Sequence, residues 1–373
     1  MPTAFPSPSM RQPKTIAIAL MGATGTGKST FVNLASGASL GVGDGLRSCT
    51  SEVATSHVFE LFGRRIVLID TPGFDDTTKS DTDILKMIAV YLASTYGAGV
   101  KLSGILYLHR ISDFRMGGVN RRNFNMFRKL CGDETLKNVL LVTTMWSHVD
   151  LKTGESREEE LRTDEILFKP VLDKGAQLVR HDNTLQSAQA ILYRLIQNHP
   201  EPLRIQRELV DEKKDIEDTG AGEELARELA AVIRKHREEL RAVQEEMNEA
   251  IAAKDMETKQ ELEEVRQKLV EDMMKVEAGR ERLSREYATQ KQEADEKLQE
   301  IQRQLENEAR ERARRQAELE KLQREFNDGR LRSEEEQRQL RERIEHLQRN
   351  PPRRGGFFGL VGEAFGALFS GHF

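Results

Sequence analysis

Residues 21–30 read MGATGTGKST and hold the spacing Gly-x-x-x-x-Gly-Lys-Ser, from Gly22 to Gly27, Lys28 and Ser29. Glycines in such a run let backbone amides turn inward around phosphates without a Cβ in the way. The ammonium of Lys28 is then expected on the β- and γ-phosphates of a nucleoside triphosphate, and the Ser29 hydroxyl on Mg²⁺. Gly22, Ala23, Thr24, Gly25, Thr26, Gly27, Lys28, Ser29 and Thr30 make up the expected nucleotide-binding loop.

A second block, RIVLIDTPGFDD at 65–76, ends an apolar run in Asp70 and continues into Thr-Pro-Gly. An aspartate at the carboxyl end of a buried strand can hold Mg²⁺ through water, and the Gly73 amide can meet the γ-phosphate. Between the blocks, Thr50 is the candidate to complete the metal shell, with Ser51 as its rival. The expected metal ligands are therefore Ser29, Thr50 and Asp70. The lone aspartate argues against the coiled-coil ATPases of chromosome structure, which carry an acidic pair here and a second ATPase half after the coil.

These residues need particular elements behind them. TIAIALM (15–21) reads as a strand and KSTFVNLASG (28–37) as a helix ending at Gly37, so the glycine loop has the strand–loop–helix context its chemistry requires. Residues 53–62 read as a strand, Gly63-Arg64 as a hairpin turn, and 65–70 as its antiparallel partner. Further strands are expected at 104–109, 138–144 and 176–181, and helices at about 82–96, 119–131, 156–168 and 184–198. This alternation predicts an α/β fold, a P-loop NTPase three-layer sandwich whose sheet is mainly parallel with one antiparallel strand. Ligands then sit at the carboxyl ends of the strands, where Gly22–Ser29, Asp70, Thr144 and His181 fall.

With these motifs in place, the chain resembles the translation-factor-related GTPases. SCTSEV, DTPGFDD and RHDNTLQSA (180–188) are most similar to the septin-like, immunity-associated branch of that class. The resemblance covers about residues 15–200 and implies GTP and GDP as ligands, Mg²⁺ as cofactor, and dimerisation through the G domain. Base recognition departs from the family pattern. TTMWSHVD (143–150) keeps Thr144, but Met145 replaces the usual lysine and Ser147 the aspartate that pairs with guanine. Met145 can lie along the base as an apolar platform, and Asp182 or Asn183 matches the family's last base-contacting turn. Losing a charged hydrogen bond of roughly 1.5–3 kcal/mol blunts a preference for guanine. No glutamine follows DTPG to align water. Arg110, His109 and Arg115 are candidates to complete catalysis across a dimer. The expected catalytic set is Lys28, Thr50, Gly73 and Arg110. An inactive scaffold and an ATP-using assembly ATPase are the rival readings.

The rest of the 373 residues is different in kind. From 203 to 349 Glu, Arg, Gln, Lys, Leu and Ala dominate, with apolar residues every three or four positions, as in a coiled coil. A continuous helix over 223–349 would be about 190 Å long. The expected divisions are a disordered arm at 1–14, a G domain at 15–200, a linker with a hinge at 201–222, a self-associating coiled coil at 223–349, and an amphipathic Gly/Phe-rich tail at 350–373. The tail suits a membrane surface through 353–373, a protein groove, or the G domain itself. With 57 basic and 62 acidic residues and a net charge of -5, no basic stretch points to nucleic acid. Two cysteines, Cys49 and Cys131, make no disulfide framework, and no signal peptide or membrane span is evident. The expected location is cytoplasmic, peripheral to a membrane if the tail binds one.

Overall fold

A computed structural model describes residues 15–41, 52–73, 79–113, 117–253, 256–327, 338–339, 341–345 and 357–370. The first half is one seven-stranded sheet covered on both faces. Its strands are β1 (Ile16–Gly22), β2 (Ala54–Thr55), β3 (Phe59–Leu61), β4 (Arg64–Asp70), β5 (Leu102–Arg110), β6 (Val139–Thr144) and β7 (Gln177–Arg180). The order across the sheet is β2-β4-β1-β5-β6-β7, with β3 also on β4. β1, β4, β5, β6 and β7 are parallel, whereas β2 and β3 run antiparallel to β4.

Alternation along β1 assigns the layers. Ala17, Ala19 and Met21 face one apolar cluster, and Ile18 and Leu20 face the other. The second face is covered by α1 (Lys28–Ser36) and α6 (Leu185–Ile196). The first carries α2 (Asp81–Gly97), α3 (Gly118–Cys131) and the short α5 (Lys169–Leu172). Parallel strands buried on both faces explain why β1 and β6 read as unbroken apolar runs.

Two local expectations shift. The strand foreseen over 53–62 is split into β2 and β3, and its turn lies at Phe62-Gly63, with φ of 51° and 69°. Two successive positive φ values match the twist of a tight hairpin. The helix foreseen at 156–168 begins earlier, as α4 (Leu151–Thr163), because Asp150 caps it by accepting from the Thr153 amide at 2.9 Å.

Residues 204–218, expected as linker, form α7 (Arg204–Gln206) and further short helical turns, with Ile205 and Ile216 fully buried in the first cluster. Gly220 opens α8 (Gly220–Ala253), with Thr219 and Ala221 buried, so the expected hinge is a packed helix start. α9 (Met256–Asn327) then runs back along α8, and Arg237 on one faces Glu277 on the other at 3.9 Å. The two helices therefore form an antiparallel hairpin. Further along α9, Leu283, Tyr287, Ala294, Leu298 and Ile301 join the cluster beneath α2. Apolar periodicity specifies a buried stripe, and here the G domain supplies its cover. A final helix, α10 (Phe357–Ser370), buries Phe358, Val361 and Phe365 in the same cluster. No helix among the described residues is long and apolar enough to cross a membrane.

Candidate functional site

The glycine loop leaves β1 and enters α1 through Gly27, which has φ 91° and ψ 21°. That left-handed geometry is accessible to glycine without a Cβ penalty, and it aims the first amides of α1 back over the loop. Thr26 steadies the turn by donating its hydroxyl to the Ala23 carbonyl at 2.8 Å. Lys28 is buried and donates to the carbonyls of Gly22 and Ala23, each at 2.9 Å. Its ammonium thus sits inside the loop where phosphate oxygens would replace those carbonyls.

Ser29 and Asp70 meet at the same place. Ser29 Oγ donates to Asp70 Oδ2 at 2.5 Å, and Asp70 is only 1 % exposed at the end of β4. A buried carboxylate and a hydroxyl converging beside a lysine fit the oxygen-donor chemistry of Mg²⁺. Gly73 completes the wall. A Cβ there would lie 2.5 Å from the Thr24 amide nitrogen, so only glycine lets this backbone lie against the loop. Thr50, Ser51 and Arg115 lie outside the described residues, as does Cys49.

Arg110 ends β5 on the same rim. Its Nη1 is 3.1 Å from where a Cβ on Gly25 would stand, and its Nε is 3.0 Å from Asp113 Oδ1. The guanidinium therefore lies beside Gly25 of the glycine loop. Its neighbour His109 points into the core. The ring is buried edge-on to Phe168, and burial lowers its pKa to about 4, so it is neutral at physiological pH.

The residues expected to meet a base follow β6 and β7. The Thr144 hydroxyl donates to the Thr26 carbonyl at 3.0 Å and so ties the end of β6 to the glycine loop. Met145 takes a left-handed conformation, φ 60°, with its Cε 3.8 Å from a Cβ position on Gly27. Asp182 is exposed and accepts from the Thr184 amide and hydroxyl, which hold its carboxyl below the usual range. Asn183 adopts φ 63°, and Thr184 caps α6. His181 bonds Ser187 through Nδ1 at 3.0 Å, and burial lowers its pKa.

One group of residues on this side had no role in the sequence reading. Trp146 donates from its indole to Thr143, at 3.1 Å to the hydroxyl, and rests on Gly154 of α4. Arg180 stacks its guanidinium 4.3 Å from the Trp146 ring centre while gripping Glu158 through two nitrogens. The signal available was the single tryptophan of the chain, placed directly after Met145.

The sheet order, the glycine loop between β1 and α1, and Asp70 at the end of β4 define a G domain of the P-loop GTPase fold. Residues 17–130 match the family described as 50S ribosome-binding GTPase. No curated protein matches the chain in sequence. Among solved structures, Toc33 from Arabidopsis thaliana in complex with Mg²⁺ and GMPPNP is 17 % identical, over 51 % of this chain and 88 % of that one, with a TM-score of 0.40. Era from Aquifex aeolicus bound to GDP·AlF4⁻ is 17 % identical over 50 % of this chain and 58 % of that one, with a TM-score of 0.36. The G domain of T. maritima FeoB is 18 % identical over 49 % and 98 %, with a TM-score of 0.32.

Proposed function

We propose that this chain is a GTP-binding protein that hydrolyses GTP slowly and requires Mg²⁺. The observation that carries the reading is the convergence of Lys28, Ser29 and Asp70 beneath one glycine loop. Lys28 neutralises the β- and γ-phosphates, and the Gly73 amide donates toward the γ-phosphate. Ser29 and Asp70 would hold Mg²⁺, which would supply charge neutralisation. Arg110, already lying on the loop at Gly25, adds positive charge to the same rim. The absence of a glutamine after Gly73 supports a low intrinsic rate, since no side chain at that place orients the attacking water.

Met145 and Trp146 provide apolar surface for a purine, and with serine at 147 the discrimination of guanine from adenine is modest. Membership of the septin-like branch, and nucleotide-dependent dimerisation through the G domain, belong to the same proposal and rest on the DTPGFDD and RHDNTLQSA blocks. The helical half contributes less to self-association than its periodicity suggests, because its apolar stripe over 283–301 is covered within the chain.

Turnover of radiolabelled GTP, compared between the native chain and Lys28→Ala, tests the reading. Phosphate release that depends on Lys28 and Mg²⁺ supports it, and equal release from both proteins removes it. Displacement of a fluorescent GTP analogue by ATP and by GTP measures the base preference.

A further inference from the structure

The two elements that lead directly to the phosphate site are both held by the far end of the chain. β2 lies on β4 with Ala54 opposite Asp70 and Thr55 opposite Ile69. Thr55 Oγ1 donates to the Phe358 carbonyl of α10 at 3.2 Å. Gly362, one turn on, has no room for a side chain, because a Cβ there would collide with Thr55 Oγ1. On the other side, α2 is the first helix after Gly73. Its Tyr91 meets Phe365 edge-to-face, with ring centres 4.9 Å apart. Its nearly buried Lys86 pairs with Glu286 of α9. One helix of fourteen residues thus fastens the strand beside Asp70 and the helix that follows Gly73.

We propose that α10 is an autoinhibitory strap whose docking opposes binding of a magnesium nucleoside triphosphate. The inference rests on the nucleotide reading above. Phe358, Val361 and Phe365 are buried in the cluster shared with α2 and α9, and α10 packs on α9 as well as on β2. A ligand that contacts Ser29, Asp70 and Gly73 meets the end of β4, on which β2 lies, and the segment that leads into α2. Docking and binding therefore draw on the same two elements. If docking opposes binding, release of α10 strengthens triphosphate binding, and by reciprocity triphosphate binding loosens α10 by the same factor. The strap is the chain's own tail, so its local concentration is high and it re-docks without a partner.

A disulfide between Thr55→Cys and Gly362→Cys tests this in the full-length chain, on a Cys49→Ser background. A Cβ at Gly362 stands 3.5 Å from Thr55 Cβ, within the span that a disulfide bridges. Cys131 stays inert because it is buried and burial raises its thiol pKa. The oxidised protein should bind a fluorescent GMPPNP analogue with Mg²⁺ about tenfold more weakly than the same protein reduced. Equal affinities overturn the strap and leave the nucleotide site standing. Absence of saturation in either form overturns the nucleotide reading and the strap with it. Amide exchange in the unmodified chain gives a second readout that needs no substitution. Residues 357–365 should exchange faster with saturating GMPPNP and Mg²⁺ than without nucleotide, and unchanged exchange overturns the proposal.

Discussion

Ser29 Oγ and Asp70 Oδ2 lie 2.5 Å apart although 41 positions separate them in the chain. The contact joins the first turn of α1 to the end of β4, and it brings together the two oxygen donors that would hold Mg²⁺ under the proposed function. Ser29→Ala should weaken nucleotide binding about tenfold to a hundredfold in Mg²⁺, the equivalent of roughly 1.5–3 kcal/mol for a charge-assisted contact. In EDTA the variant and the native protein should bind alike. Calorimetry in the two buffers checks this, and an equal loss in both would move the cation elsewhere.

Gly73→Ala should damage the site without touching a charge. The added methyl would stand 2.5 Å from the Thr24 nitrogen and 2.7 Å from its hydroxyl, so the loop or the strand end has to move. Overpacking of this kind costs about 1–3 kcal/mol. Thermal melts should show a lower midpoint, and nucleotide should restore less of it than in the native chain.

Trp146 is the only tryptophan, and it follows the residue beside the glycine loop. Its emission should change on saturation with GTP and report the site without a label. Trp146→Phe should lose the signal while Lys28-dependent phosphate binding survives. Titrations of the native protein with GTP and ATP should give affinities within about tenfold of each other, since the charged guanine acceptor is missing. A preference for GTP of a thousandfold would show that another residue reads the base.

His109 predicts a pH effect on stability. Burial lowers its folded pKa from 6.5 to about 4, so between those values the unfolded chain binds the extra proton. Stability from this ring is fully present above about pH 6.5 and is lost progressively as the pH falls toward 4. The loss reaches about 3 kcal/mol. Carboxylates titrate over the same range, so the readout is a difference. Urea unfolding of His109→Gln should depend less on pH between 4 and 6.5 than that of the native chain, and parallel curves would refute the assignment.

Much of the site was legible because its parts are local. The run from Gly22 to Ser29 carries its own backbone geometry, and Asp70 is marked by the apolar strand that ends in it. The Trp146–Arg180–Glu158 stack was not legible, because its three residues come from a loop, a strand and a helix that only the sheet brings together. Arg110 was recognised as a charged group near a strand end, but not as one lying on its own glycine loop. That placement depends on β5 standing next to β1.

From the sequence by itself came the glycine loop, Ser29 and Asp70 as partners at one site, and the alternation of strand and helix that makes a P-loop sheet. Glycine conformations and apolar periods of two and 3.6 are written in short contiguous stretches. The tertiary structure alone decided what the helical half and the tail pack against. A stripe such as Leu283–Tyr287–Ala294–Leu298 states that a face is buried, and another copy, a second helix or a domain satisfies it equally well. Hydrophobic burial is non-directional, so the choice fell to shape and to single contacts: Lys86 with Glu286, Tyr91 with Phe365, and Thr55 in the notch left by Gly362.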